Sequence, residues 1–215
     1  MVTSTIYSQT DTNDYIDFTK INSELNSDLF KIDTVDNEQI LILTGNSYNQ
    51  EIDEFTGKKK DDARGGKIIL FDETMKNYTM TVDMKFLGFH VEGAPRGGWF
   101  GFTARAQDFE NFELVWFMPN ADEANTVAYV PVAHGVVPWW TEAYASQEKG
   151  SIALPKNDWF TARVDVIGDE ISVYVNDQFL FKKKLTYYLT TGKAGLFVGT
   201  ATDAAFRRLM IKKID

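Results

Sequence analysis

Residues 159–177 read WFTARVDVIGDEISVYVND. Apolar and polar side chains alternate through both halves of this stretch. Phe160, Ala162, Val164 and Val166 fall on one face of an extended segment, and Trp159, Thr161, Arg163 and Asp165 on the other. In the second half Ile171, Val173 and Val175 continue the apolar face, while Ser172, Tyr174 and Asn176 oppose it. Gly168-Asp169 between the halves suits a tight hairpin, and Asn176-Asp177 supplies a second turn before Phe179. Two strands with one apolar and one polar face predict an antiparallel sheet that is wet on one side.

The same grammar extends outward in both directions. FKIDTV, QILILTG, KIILFD, YTMTVDMKFLGF, GGWFGFTAR, NFELVWFM and TVAYVPVA precede the hairpin, and FLFKKKL, GKAGLFVGTA and FRRLMIKKI follow it. About a dozen short runs separated by turn residues predict an all-β, two-sheet antiparallel sandwich. Weak helical spacing occurs around Ile21 to Leu29. With no regular helices between strands, a βαβ fold is excluded. Residues 1–14 form a polar lead-in, and 45–66 a polar loop bounded by glycines. At 215 residues the chain fits one domain, 1–215.

Composition removes several functions. The net charge of −9 disfavours nucleic acid and anionic membranes as partners. No cysteine is present, so disulfides, thiol catalysis and cysteine-ligated metals are excluded. No apolar run is long enough to span a membrane. The N-terminus, MVTSTIYSQTDTNDY, has neither the basic start nor the apolar core of a signal peptide, so the compartment stays open. No phosphate-binding loop, dinucleotide fingerprint or Gly-x-Ser-x-Gly elbow occurs.

Taken in order, the motifs resemble the concanavalin A-like lectin/glucanase jelly rolls. Closer still, they resemble laminin-G-like modules and the domain of bacterial 3-keto-disaccharide hydrolases. The resemblance is carried by LFKIDTVDNEQILILTG, by KIILFDETMKNYTMTVDMKF and by the glycine-rich strand GGWFGFTAR ending in Arg105. It continues through NFELVWF with Glu113, the Trp159 hairpin, GKAGLFVG and FRRLMIKKI, and so covers roughly 28–215. It implies a jelly roll whose concave sheet face often carries a sugar site, a carbohydrate ligand, and an extracellular or periplasmic setting. A glutamine motif that usually follows the terminal G-x-x-G-L in the hydrolase domain is replaced here by Phe197-Val198-Gly199-Thr200.

Within that frame the ligand-binding candidates are Trp99, Arg105, Glu113, His134, Trp139, Trp140, Arg163 and Tyr174. The expected groove has an aromatic floor, a cation from Arg105 and a carboxylate from Glu113, provided that both face outward. The alternative for Arg105 and Glu113 is an ordinary ion pair. Catalytic candidates are Glu113, Glu142 and His134, and a glycoside hydrolase needs two of the carboxyl groups at a defined separation. Glu51 and Asp53 imitate a family 16 glycosidase motif, but Phe55 and Thr56 stand where its second glutamate belongs. His134 is either a general base or ligand or a structural histidine. His90 belongs at a strand end.

The stretch 129–144, YVPVAHGVVPWWTEAY, lies in a long, nearly uncharged insertion from about Pro119 to Pro155. It is expected to form a strand and a loop over one rim of the groove, with one of the paired indoles turned inward. The acidic turns Asp11-Asn13-Asp14, Asp33-Asp36-Asn37 and Asp122-Asn125 make calcium the one ion the resemblance implies, although none has an EF-hand spacing. The functions that follow are a carbohydrate-binding or carbohydrate-processing module, a glycoside hydrolase, or a protein-interaction module with exposed tryptophans.

Overall fold

The computed structural model describes residues 15–20, 30–45, 67–90, 98–119, 127–134, 148–150, 152–185, 189–199 and 201–214. They hold thirteen strands: β1 (Phe30–Val35), β2 (Glu38–Thr44), β3 (Lys67–Met75), β4 (Tyr78–Phe89), β5 (Phe100–Ala106), β6 (Phe112–Phe117), β7 (Val127–Val132), β8 (Glu148–Gly150), β9 (Phe160–Ile167), β10 (Glu170–Val175), β11 (Gln178–Lys184), β12 (Gly192–Val198) and β13 (Thr202–Lys213). A 3₁₀ turn spans Phe18–Lys20, and the weak helical spacing at Ile21 to Leu29 lies outside the described residues.

Two antiparallel sheets form the sandwich expected from the alternation. The seven-stranded sheet runs β1-β2-β13-β4-β9-β10-β11, and the six-stranded sheet runs β3-β12-β5-β6-β7-β8. Two hairpins turn on consecutive left-handed residues, Asp36-Asn37 (φ 50° and 65°) and Asn176-Asp177 (φ 47° and 64°). Asn and Asp tolerate that region, and such turns match the strand twist. The β9–β10 hairpin turns on Gly168 (φ 60°) and Asp169, as expected, and its register sets Val164 opposite Val173. The short β8 had no counterpart in the sequence reading.

Between the sheets lies the main core. Phe100 and Phe117 of the six-stranded sheet meet Phe160 of the other at 6.2 and 5.6 Å, and Phe100 meets Phe206 edge-on at 6.1 Å. Each such buried ring contributes about 1.5–3 kcal/mol relative to exposure.

The two outward faces differ in kind. On the six-stranded sheet Ile68, Phe112, Leu114, Trp116, Val130, Val132 and Phe197 form a second apolar cluster, itself buried. On the seven-stranded sheet the outward rows hold Thr79, Thr81 and Asp83 of β4 opposite Asp165, Arg163 and Thr161 of β9. The predicted wet face therefore belongs to the seven-stranded sheet.

Candidate functional site

Arg105 stands at a bulge. Its neighbours pair normally, Thr103 with Gly195 and Ala106 with Lys193, so Ala104 and Arg105 together oppose the single residue Ala194. Arg105 takes up the extra length in the left-handed region, at φ 49°. A β-carbon on Gly192 would lie 2.4 Å from the Arg105 carbonyl carbon, so only glycine lets β12 pass this close.

The bulge reverses the alternation. Phe100, Phe102 and Ala104 point into the core, but the next inward residue is Arg105, and Ala106 joins the outer cluster. The arginine expected in a groove is therefore 1% exposed. Its guanidinium donates to the carbonyl of Lys76 at 3.2 Å and to the carbonyls of Gly168 and Leu189. These belong to the β3–β4 turn, the β9–β10 turn and the segment between β11 and β12. One cation thus ties three connections at one end of the sandwich, and its own N–H donates to the Tyr78 hydroxyl at 3.3 Å. Burial lowers the Arg105 pKa, opposed by Tyr78, Glu113 and Asp169.

Glu113 is also interior. It pairs with Ala104 and shares the inward face with Val115 and Phe117, and it is 0% exposed. Its Oε2 accepts the Tyr129 hydroxyl at 2.6 Å. The expected outward groove of Arg105 and Glu113 is therefore corrected. Glu113 faces the core by parity and Arg105 by its bulge, and neither reaches solvent.

The other candidates separate. Trp99 is half-buried on the outer face of the six-stranded sheet, edge-on to Trp116 at 6.3 Å and to Phe197 at 6.4 Å. Its indole lies where a β-carbon on Gly199 would sit, 2.0 Å from Cδ1. Arg163 and Tyr174 occupy the outer face of the opposite sheet, with the guanidinium carbon 3.8 Å from the ring centroid. His134 follows β7 at φ 52°, and its N–H donates to Asn111 Oδ1 at 3.1 Å. The Asn111 amide is in turn held by Asp108 at 2.9 Å. His90 lies at the end of β4, Nδ1 3.0 Å from Asp203 Oδ1. Trp139, Trp140, Glu142, Glu51 and Asp53 lie outside the described residues.

Sequence reasoning missed a second cation on a ring. Arg207 lies 4.3 Å above the Trp159 ring and bridges Glu38 at 3.0 Å and Asp83 at 3.3 Å. Asp83 also accepts the Thr161 hydroxyl at 2.7 Å. The signal was the polar alternation of β4 and β9, but the bulge at Arg208 (φ 52°) that sets Arg207 and Arg208 side by side had no local mark.

Of the acidic turns, Asp33 pairs with Lys31 at 2.9 Å and Asp36-Asn37 form the β1–β2 turn. Asp11, Asn13, Asp14, Asp122 and Asn125 lie outside the described residues. Among the described residues no three acidic or histidine side chains converge on a point that could hold a metal. No helix among them is long and apolar enough to cross a membrane.

The Tyr78 phenol carries a pH prediction. Burial, the largest influence, pushes its pKa up; the Arg105 N–H and charge act against this, and Glu113 adds to it. The folded state therefore keeps its proton while the unfolded chain releases it above about pH 10. The contribution of this phenol should be constant below that pH and fall as it rises further, and Tyr78→Phe should flatten the alkaline limb of denaturant midpoint against pH. An unchanged limb in Tyr78→Phe would assign it to other groups.

Two antiparallel sheets in this order form a concanavalin A-like jelly roll, a fold that solved structures share. A carbohydrate-binding module, CBM66 from Bacillus subtilis, superimposes with a TM-score of 0.58 at 13% identity, covering 86% of this chain and 92% of that one. A Bacillus licheniformis β-glucanase gives 0.54 at 15% identity, covering 88% and 84%. A Bacteroides ovatus mixed-linkage glucan GH16 protein with bound product gives 0.52 at 10% identity, covering 88% and 86%. At these identities the likeness is one of fold. No curated protein matches the chain. The family is more specific: residues 23–212 match the 3-keto-alpha-glucoside-1,2-lyase-like domain, and the chain belongs to that family.

Proposed function

We propose that this chain is a carbohydrate-binding module. The observation that carries the reading is the family match across residues 23–212, in a fold shared with a carbohydrate-binding module and glucanases. Binding without turnover is favoured by the burial of Glu113, which removes one of the named carboxylates from any solvent-borne substrate. Calorimetric titration with neutral oligosaccharides should give saturable heats. A broad panel without heat would sink the reading.

A second reading is catalytic, and the family's lyase-like description favours it. It would draw on His134 and Glu142. Turnover of a 3-keto-glucoside that survives in both His134→Ala and Glu142→Gln would remove these residues from it.

A further inference from the structure

We propose that the outer face of the seven-stranded sheet is an oligosaccharide platform, running along β9 from Trp159 to the row Arg163–Tyr174–Phe179. This rests on the carbohydrate reading above and names a surface for it. Arg163 pairs with Tyr174, and Tyr174 with Phe179, across three neighbouring strands in one register row. Phe179 is 53% exposed and meets the Tyr174 ring edge-on at 5.5 Å. The Arg163 guanidinium carbon stands 3.8 Å from the Tyr174 ring centroid, and its pairing with Asp165 is a loose 3.8 Å.

Four residues back from Arg163, just before β9, Trp159 repeats the arrangement beneath Arg207. Four extended residues span about 13 Å, the reach of an oligosaccharide rather than of a single sugar. Thr161 stands between the two platforms with its hydroxyl bound to Asp83.

The chemistry selects a neutral ligand. The exposed Phe179 ring offers a surface to sugar C–H groups beside the half-buried Tyr174 and Trp159 rings, each with a guanidinium over one face, and the guanidiniums and carboxylates offer donors and acceptors to hydroxyls. Three cations along this row stand beside anions: Arg163 with Asp165, Arg207 with Asp83, and Lys182 with Glu170. Along this row the cations are held by neighbouring carboxylates, so it offers a polyanion few unshared cations. The six-stranded sheet cannot offer the same, because its outward side chains form a buried apolar cluster.

The test uses mixed-linkage glucan, mannan and starch oligosaccharides against the full chain, by calorimetry and by amide and indole NMR shifts. Phe179→Ala removes an exposed ring and should leave the fold intact. Binding should weaken roughly tenfold, with wild-type shifts along β9, β10 and β11 and on the Trp159 indole. Unchanged affinity in Phe179→Ala, with shifts at the Trp99 indole, would overturn the platform and leave the carbohydrate reading standing. No binding of any probe by the wild type would overturn both. Conversion of a wild-type dimer to a monomer by Phe179→Ala would instead make this face a contact between copies, and would also overturn the proposal.

Discussion

Replacing Arg105 with methionine is expected to lower stability by about 3–5 kcal/mol, although methionine fills much of the same volume. The cost comes from the carbonyls of Lys76, Gly168 and Leu189, which lose a shared charged donor at a buried position. For a chain of this size that corresponds to a fall in Tm of roughly 10 °C. Arg105→Lys should recover only part of the loss, because an ammonium on a single stem cannot span three carbonyls as a planar fork does. Thermal unfolding of the three proteins checks the order wild type, lysine, methionine. Native-state hydrogen exchange should also show faster opening at the three connections that Arg105 joins. A methionine variant as stable as wild type would mean that the guanidinium is dispensable, and an outward role for it would return to consideration.

The second large effect belongs to Glu113. Glu113→Ala should cost about 3–5 kcal/mol, because it opens a cavity, takes the carboxylate acceptor from the Tyr129 hydroxyl and removes an anion from the neighbourhood of buried Arg105. Tyr129→Phe, which removes the hydrogen bond to the carboxylate and keeps the ring, should cost about 1.5–3 kcal/mol. A double-mutant cycle should find the two coupled, since they share one 2.6 Å contact. Ligand affinity measured on the folded fraction should not change in either variant. A stable Glu113→Ala protein with abolished ligand binding would place the carboxylate in a site and not in the core.

These two residues also mark where the sequence stops being legible. Strand positions and the wet face were readable because β4, β9 and β10 alternate strongly, and the turns were readable because Asn, Asp and Gly stand at the positive-φ positions 36–37, 168 and 176–177. The strand FELVWF is different. Phe112, Leu114 and Trp116 are buried on one face, and Glu113, Val115 and Phe117 on the other. A strand covered on both faces has no polarity contrast, so parity alone could not say which way Glu113 points. Arg105 failed for another reason. Its inward turn depends on a bulge against β12, nearly ninety residues later, and on the absence of a side chain at Gly192. Nothing local in FTARAQ announces it. Arg163 and Tyr174 share the polar face that the alternation gives them, but they lie on the sheet opposite Trp99 and not in one groove with it, a fact fixed by strand order alone.

The sharpest test of the account as a whole is a single incubation in which neutral oligosaccharides, including a 3-keto-glucoside, are titrated calorimetrically and the cell contents then analysed for products by mass spectrometry. Saturable heat with the sugar recovered intact is the predicted result. Product in excess over protein would contradict it and make the chain a catalyst, and the absence of both heat and product would remove carbohydrate from its function.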